Sequence, residues 1–184
     1  MEGLQAIFPT PFFYGDYKDI PFEKPHADGL IENVVKVDVP ELKDAIFNSI
    51  SGIIQEMGSV DQPLVLNDMW FNTYDERRPI LNHHYHQNCS WTGTYFPYDA
   101  NHITQFFNPY GGLIYQHFPK QERVSDFTTE YVSAREMKAG QVIIHPSYIP
   151  HQVFWNGGEP SYSISFDVAY QTPIGDKAYG SYRE

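Results

Sequence analysis

Five of the eight histidines in this 184-residue chain fall in two short segments. His83, His84 and His86 stand in Asn82-His83-His84-Tyr85-His86-Gln87, and His145 and His151 bracket Pro146-Ser147-Tyr148-Ile149-Pro150. On an extended strand, residues two apart share a face, so His84 and His86 converge on one point while His83 and Tyr85 turn away. Each neutral imidazole offers one lone pair to a metal ion. Two neighbouring ligands and one remote ligand make a facial site whose other positions stay open to substrate. The stretch Gly140-Gln141-Val142-Ile143-Ile144-His145-Pro146 reads as a strand ending in a Pro-bounded turn, which presents His151 at the start of the next strand as the remote ligand. A His-x-His pair alone is as often a hydrogen-bonded or surface pair as a ligand pair; the Gly-x5-Pro-x4-His spacing tips the reading toward metal. His26, His102, His117 and His145 read individually as surface or hydrogen-bonded residues, and His83 as a residue of the site's rim or of the shell behind the ligands.

Other chemistries are less well supported by the residues. The single cysteine, Cys89, lies three residues after His86, yet this spacing makes no Cys-His-Asn arrangement, and it reads as a small buried or loop thiol. Gly111-Gly112 and Gly157-Gly158 sit in turn contexts, Asn108-Pro109-Tyr110-Gly111-Gly112 and Trp155-Asn156-Gly157-Gly158-Glu159-Pro160, which suit hairpins better than phosphate loops.

Elements of two kinds must position the histidines. From Pro63 onward, short apolar or aromatic runs alternate with turn residues, predicting strands near 64–74, 79–87, 90–97, 102–107, 112–118, 129–135, 141–145, 151–156 and 161–170. That spacing points to a sandwich, barrel or jelly roll. One helix is predicted from Asp38 to Met57, with Asp38 as N-cap, Glu41 completing a capping box, Pro40 in the first turn and Gly58 after the end. Leu42, Ile46, Ile50, Ile53, Ile54 and Met57 form its apolar stripe, which should pack on a sheet. Residues 1–37 read as an edge strand, from Ala6 to Phe13, followed by loops. The chain thus reads as one mainly β domain over 1–184, with a helix at 38–58, a β core at 63–170 and a polar tail after Pro173.

Composition narrows the function classes. With 3 Trp, 14 Tyr and 13 Phe against 13 Gly and 14 Pro, strands and tight turns are favoured over helices. A net charge of −11 and scattered basic residues, with only Arg77-Arg78 adjacent and read as a solvated turn pair, argue against nucleic acid or an anionic membrane as partner. No apolar run approaches the roughly 18 residues needed to cross a bilayer, no leader-like N-terminal segment is seen, and one cysteine suits a reducing cytoplasm. Oligomeric state is open, and a homodimer is compatible.

Several stretches taken in order carry a resemblance: Ile7-Phe8-Pro9-Thr10-Pro11, Trp70-Phe71-Asn72, His84-Tyr85-His86, Trp91-Thr92-Gly93-Thr94-Tyr95, Gly140, Pro146-Ser147-Tyr148-Ile149-Pro150-His151 and Ser163-Ile164-Ser165-Phe166. The chain resembles a family of small proteins of marine bacteria and cyanobacterial phages grouped with the iron(II) and 2-oxoglutarate-dependent oxygenases. The resemblance implies a double-stranded β-helix, a cupin-like jelly roll, with Fe(II) at its open end and 2-oxoglutarate as cosubstrate. His84 and His151 match metal ligands, and His86 stands where a carboxylate is usual; Tyr95, Ser163 and Asn72 fall on the strands of the cosubstrate pocket. The expected activity is oxidative decarboxylation of the cosubstrate coupled to hydroxylation of a small molecule or a side chain, in the host cytoplasm if the source is a phage. Two departures stand out. Three neutral imidazoles leave the iron site at +2, an arrangement that would equally suit zinc or nickel. The Arg or Lys that relatives place about ten residues after the distal His is absent from Glu159-Pro160-Ser161-Tyr162-Ser163. That is a charge-assisted contact worth about 1.5–3 kcal/mol, and Arg123, Arg135 or Lys138 would have to replace it from another strand. The competing readings are a cupin-like metalloprotein with other chemistry and a non-catalytic jelly roll in which Trp70, Trp91 and Trp155 form a binding face.

Overall fold

The computed structural model describes residues 10–17, 20–25, 34–59, 62–109 and 131–171. Ten strands and one helix occur among them: β1 (Phe13–Asp16), β2 (Val34–Lys36), α1 (Pro40–Glu56), β3 (Leu64–Tyr74), β4 (Ile80–His84), β5 (Trp91–Tyr95), β6 (His102–Phe107), β7 (Tyr131–Ala134), β8 (Gln141–Pro146), β9 (His151–Trp155) and β10 (Ser161–Tyr170). They form two sheets, one in the order β1-β8-β5-β10-β3-β2 and the other β4-β9-β6-β7. Every strand pair is antiparallel, as the mainly β, jelly-roll reading requires. The expected strands at 64–74, 102–107 and 161–170 have those bounds. The one expected at 112–118 lies outside the described residues, as do His26, His117, Arg123, Gly111-Gly112 and the tail. Of the N-terminal strand expected from Ala6 to Phe13, residues 6–9 lie outside the described residues; the first strand among those described starts at Phe13, opposite Ile144, and β2 is a short strand where loop was expected.

The helix begins one residue later than Asp38 as N-cap would place it. Val39 is the N-cap, with no side-chain cap bond, and Asp38 stays exposed. The physical cause is Pro40 at the first helical position: proline pushes the residue before it out of the helical region, and Val39 adopts φ −129°. Val39 meanwhile inserts its side chain into the core. At the other end Gly58 takes φ +73°, its N–H donating to Gln55 and that of Ser59 to Ile54, a Schellman ending. Leu42, Ile46, Ile50 and Ile54 are buried, whereas Met57, expected on the same stripe, is exposed beyond the last turn.

Two apolar clusters organise the molecule. The helix stripe packs on Met69, Phe71, Trp91, Tyr95, Val142, Ile144, Ile164, Phe166 and Val168, all on one face of the six-stranded sheet. Each fully buried aliphatic side chain of that layer contributes about 1.5–3 kcal/mol. Gly93 is required there, because a Cβ would run into the Ile143 carbonyl and the Phe166 ring. The second cluster, Phe96, Phe106, Ala134, Met137, Ile143 and Ile149, joins the sheet's other face to the small sheet.

Candidate metal and cosubstrate site

The histidine pair is not built by strand alternation alone. β4 ends at His84, and its pairing with β9 runs Ile80↔Phe154, Leu81↔Val153, then His84↔His151, with a bulge between Leu81 and His84. Without the extra residue His83 would stand opposite His151; the bulge brings His84 there instead. His83 lies edge-on to Phe107. His86, expected on the same strand, lies past its end and is held by its backbone N–H, which donates to the Ser147 carbonyl at 3.0 Å. Its ring is layered between Trp70 (5.8 Å, 21°) and His151 (5.2 Å, 10°).

The three rings form one cluster. Ring centroids are 4.3 Å apart for His84 and His151 and 5.4 Å for His84 and His86, and one donor nitrogen from each lies within 4.8 Å of the other two. The opposite nitrogens are already engaged. His84 Nδ1 is 2.6 Å from the Asn82 carbonyl and His151 Nδ1 is 3.1 Å from the Ile149 carbonyl. A carbonyl only accepts, so both Nδ1 atoms carry the proton and Nε2 keeps the lone pair. His86 Nδ1 lies 2.8 Å from Asp167 Oδ1, at ion-pair distance but outside hydrogen-bond alignment. Burial lowers the His84 pKa and pushes that of His151 down to about 2, so both rings are neutral at physiological pH, as metal ligation needs.

Beside this cluster runs a polar stripe. Along β10 the residues alternate: Ile164, Phe166 and Val168 face the helix, and Ser161, Ser163, Ser165 and Asp167 take the intervening positions. Tyr74, Asn72 and Trp70 of β3 stand opposite Ser161, Ser163 and Ser165, and Thr94 and Thr92 of β5 opposite Ser165 and Asp167. Asn72 Nδ2 donates to Ser165 Oγ (3.0 Å) and to Ser163 Oγ (3.4 Å), while its buried Oδ1 has no partner. His102, from the small sheet, completes the stripe against Tyr74, with centroids 4.6 Å apart.

Ser163 and Asn72, both expected at the cosubstrate, are therefore neighbours. Tyr95 is not with them: it packs in the helix-side cluster, stacked on Tyr17, because its strand alternates and Thr94 takes the inner position. Of the two readings given for His145, surface or hydrogen-bonded, the second holds: it is buried, stacked on Phe12 and edge-on to Phe106, and donates from Nδ1 to the Pro146 carbonyl. His102 is likewise buried, and burial holds both rings at a pKa of about 4. Arg77 is an exposed partner of Asp75, but Arg78 is half-buried over the Tyr74 ring, so the two arginines are not a solvated pair. Arg135 and Lys138 are exposed, Lys138 in a pair with Asp99, so neither is aimed at the stripe. Burial, then the neighbouring Asp167, raise the Cys89 thiol far above its usual range, so it stays protonated and is no nucleophile. Sequence reasoning missed Asp167 and did not join Trp70 or His102 to the histidine cluster; the Ser161-x-Ser163-x-Ser165-x-Asp167 alternation was the available signal for the first.

Comparison with known proteins agrees with this architecture. The sequence profile of the family described as "Putative 2OG-Fe(II) oxygenase" matches residues 68–167, which is more than half of the chain, and the chain belongs to that family. It is an Fe(II) and 2-oxoglutarate-dependent oxygenase, an oxidoreductase. Among solved structures it is similar to AviO1 from Streptomyces viridochromogenes Tue57, with a TM-score of 0.52 and 14% identity over 90% of this chain and 76% of that one. It is also similar to the non-haem alpha-ketoglutarate-dependent epimerase SnoN from nogalamycin biosynthesis, with a TM-score of 0.50 and 15% identity over 78% of this chain and 65% of that one. A third, EvdMO1, gives a TM-score of 0.52 and 12% identity over 86% of this chain and 40% of that one. At such identities the likeness concerns the fold. No sequence among curated proteins matches the chain. No helix among the described residues is long and apolar enough to cross a membrane.

Proposed function

We propose that His84, His86 and His151 hold the iron through Nε2, that 2-oxoglutarate lies along the Asn72 and Ser163 stripe, and that the reaction hydroxylates a small molecule or a side chain. One observation carries the ligand assignment: three rings share a 4.8 Å cluster while a backbone carbonyl or a carboxylate occupies the other face of each. The donor set fits a borderline ion with open positions, and the unpartnered Asn72 Oδ1 and His102 Nε2 fit a polar ligand in the interior. When bound, iron and the 2-oxo acid supply oxidative decarboxylation coupled to oxygen insertion into a C–H bond.

The chain's own residues do the positioning. Asn82 and Ile149 fix the His84 and His151 tautomers through their carbonyls. Trp70 fixes the plane of His86. Asp167, beside His86, returns one negative charge to a site whose three ligands are neutral, and so stands in at one remove for the missing carboxylate. Phe12, Phe106 and His145 close the apolar side and keep water from it. We read residues 1–184 as one jelly-roll domain with its core at 63–170, working in a reducing cytoplasm, which suits a single unpaired thiol.

The test is elemental analysis followed by anaerobic addition of Fe(II) and then 2-oxoglutarate. One iron per chain and a visible charge-transfer band are expected in the wild type, and no bound iron in His84→Ala or His151→Ala. Full iron content in both variants would overturn the ligand assignment.

A further inference from the structure

Bound to iron through Nε2, His86 presents its other face to a second group of metal-binding residue types. His86, Cys89 and Asp167 each offer one donor atom, and the three atoms lie within 4.8 Å of one another. His86 turns Nδ1 toward this group, 2.8 Å from Asp167 Oδ1. An imidazole, a thiol and a carboxylate thus meet where His84 and His151 take no part.

Backbone bonds tie the three residues together. The His86 N–H donates to the Ser147 carbonyl at 3.0 Å, and the Ser147 N–H donates to the Ser90 carbonyl at 3.0 Å. The Ser147 hydroxyl donates to the Cys89 carbonyl at 2.7 Å, and the Ser90 N–H to the Val168 carbonyl at 2.9 Å. Ser147 therefore anchors the His86 segment to the Cys89 segment, and Ser90 anchors the latter to the strand of Asp167. The donor atoms are positioned by the fold itself, so an ion need not order them. Cys89 is buried, but the side chains of His86 and Asp167 stay 12% and 20% exposed, which leaves a way in from solvent.

The three groups do not satisfy one another. Asp167 Oδ1 is buried and accepts no hydrogen bond, although His86 Nδ1 is 2.8 Å away, because the ring N–H is not aligned with it. Burial, and then the Asp167 charge, hold the Cys89 thiol in its protonated form. A dication between sulfur and carboxylate reverses that relation: the carboxylate becomes a fellow ligand, and the coordinated thiol gives up its proton. Sulfur, nitrogen and oxygen in a set of three, with a fourth position open, is a donor set of zinc, and the sulfur weighs against hard cations. A neutral imidazole has one lone pair, so His86 serves an ion at Nε2 or an ion at Nδ1.

We infer that His86, Cys89 and Asp167 form a second metal site, for zinc, and that this site competes with the iron site for the lone pair of His86. The competition rests on the iron ligands proposed above; the zinc site does not. Zinc bound there withdraws one of the three iron ligands, which makes the iron affinity of this chain sensitive to a thiophilic cation.

The test uses Cd(II) as the probe, because a cadmium–thiolate bond gives an ultraviolet charge-transfer band that imidazole and carboxylate ligands do not. The wild type should show a band corresponding to one thiolate per chain, displaced by Zn(II). Cys89→Ser should abolish the band and still hold one iron per chain. Asp167→Asn, which keeps the thiol, should weaken Cd(II) binding roughly tenfold or more. His84→Ala, which removes an iron ligand, should keep the band at full amplitude. Saturating Fe(II), added anaerobically, should weaken Cd(II) binding roughly tenfold or more in the wild type and leave that of His84→Ala unchanged. The absence of a thiolate band in the wild type, or an unchanged affinity in Asp167→Asn, overturns the zinc site. Loss of the band in His84→Ala would place Cys89 at the iron site and overturn the separation of the two. A wild-type band indifferent to Fe(II) overturns the competition alone. A wild type that binds cadmium through its thiolate but holds no iron overturns the iron reading, and the competition with it, and leaves the zinc site standing.

Discussion

The two faces of the six-stranded sheet are made by the same strands and differ in almost every other respect. On the helix side Phe71, Ile164, Phe166 and Val168 meet Leu42, Ile46 and Ile50 in a fully apolar layer. On the other side Asn72, Tyr74, Ser161, Ser163, Ser165 and Asp167 form a stripe that contains unpartnered buried atoms. The apolar face gains free energy from every buried methylene. The polar face holds groups left partly unsatisfied, which a bound ligand would complete. Strand alternation lets β10 serve both, so stability and chemistry should respond to different substitutions on one strand.

The largest effect that would break this division is on the helix side. Phe166→Ala should lower the unfolding free energy by about 3–5 kcal/mol, as for other buried aromatics, measured by urea denaturation, while the folded fraction still binds one iron. Loss of iron binding by the folded fraction would show that the two faces are coupled.

Next in size is the pH response of the metal-free protein. Burial lowers the His102 pKa from 6.5 to about 4. As pH falls below 6.5 the unfolded chain takes the proton first, so the stability present above that pH is lost down to about 4; the full window amounts to about 3 kcal/mol for one such ring. His145 acts with the same sign. His102→Phe should flatten the slope of unfolding free energy between pH 6.5 and 4 by up to one proton, whatever it does to the absolute value. An unchanged slope would mean that the ring is protonated, or reached by water, in the folded state.

Asp167→Asn sharpens the comparison from the polar side. It removes the charge behind His86 and should weaken metal affinity about ten- to a hundredfold, read by competition with a chelator, with little change in the unfolding free energy of the metal-free chain. Complete loss of metal would make Asp167 a direct ligand in place of a supporting group, and unchanged affinity would remove it from the site.

The apolar face was the legible one. Period-two runs and a helical stripe located β3, β6, β10 and α1, because burial imposes a pattern that a single sequence records. The convergence of His84, His86 and His151 was legible for a related reason: residue types able to bind a metal are few and their spacing is restrictive. What failed depended on geometry beyond the pattern. The bulge that exchanges His83 for His84 at the partner position adds one residue without any glycine or proline to mark it. Tyr95 was assigned to the pocket from its strand alone, but a one-residue step decides the face, and the neighbouring Thr94 holds the inner position. His102 and Arg78 come from elements remote in sequence, so no local rule could join them to Ser161 and Tyr74.

The smallest predicted effect is the most demanding test of the division. Ser165 accepts a hydrogen bond from Asn72 Nδ2 at 3.0 Å and sits opposite Thr94 and Trp70, midway along the polar stripe. If the stripe's polarity serves a ligand more than the fold, Ser165→Ala removes one neutral hydrogen bond and should cost about 1 kcal/mol in the metal-free protein. Asn72 keeps its contact to Ser163, so the amide is not stranded. A loss as large as that of Phe166→Ala would mean that the polar network holds the two sheets together on its own account, and the inner face would then belong to the core as much as the outer one does.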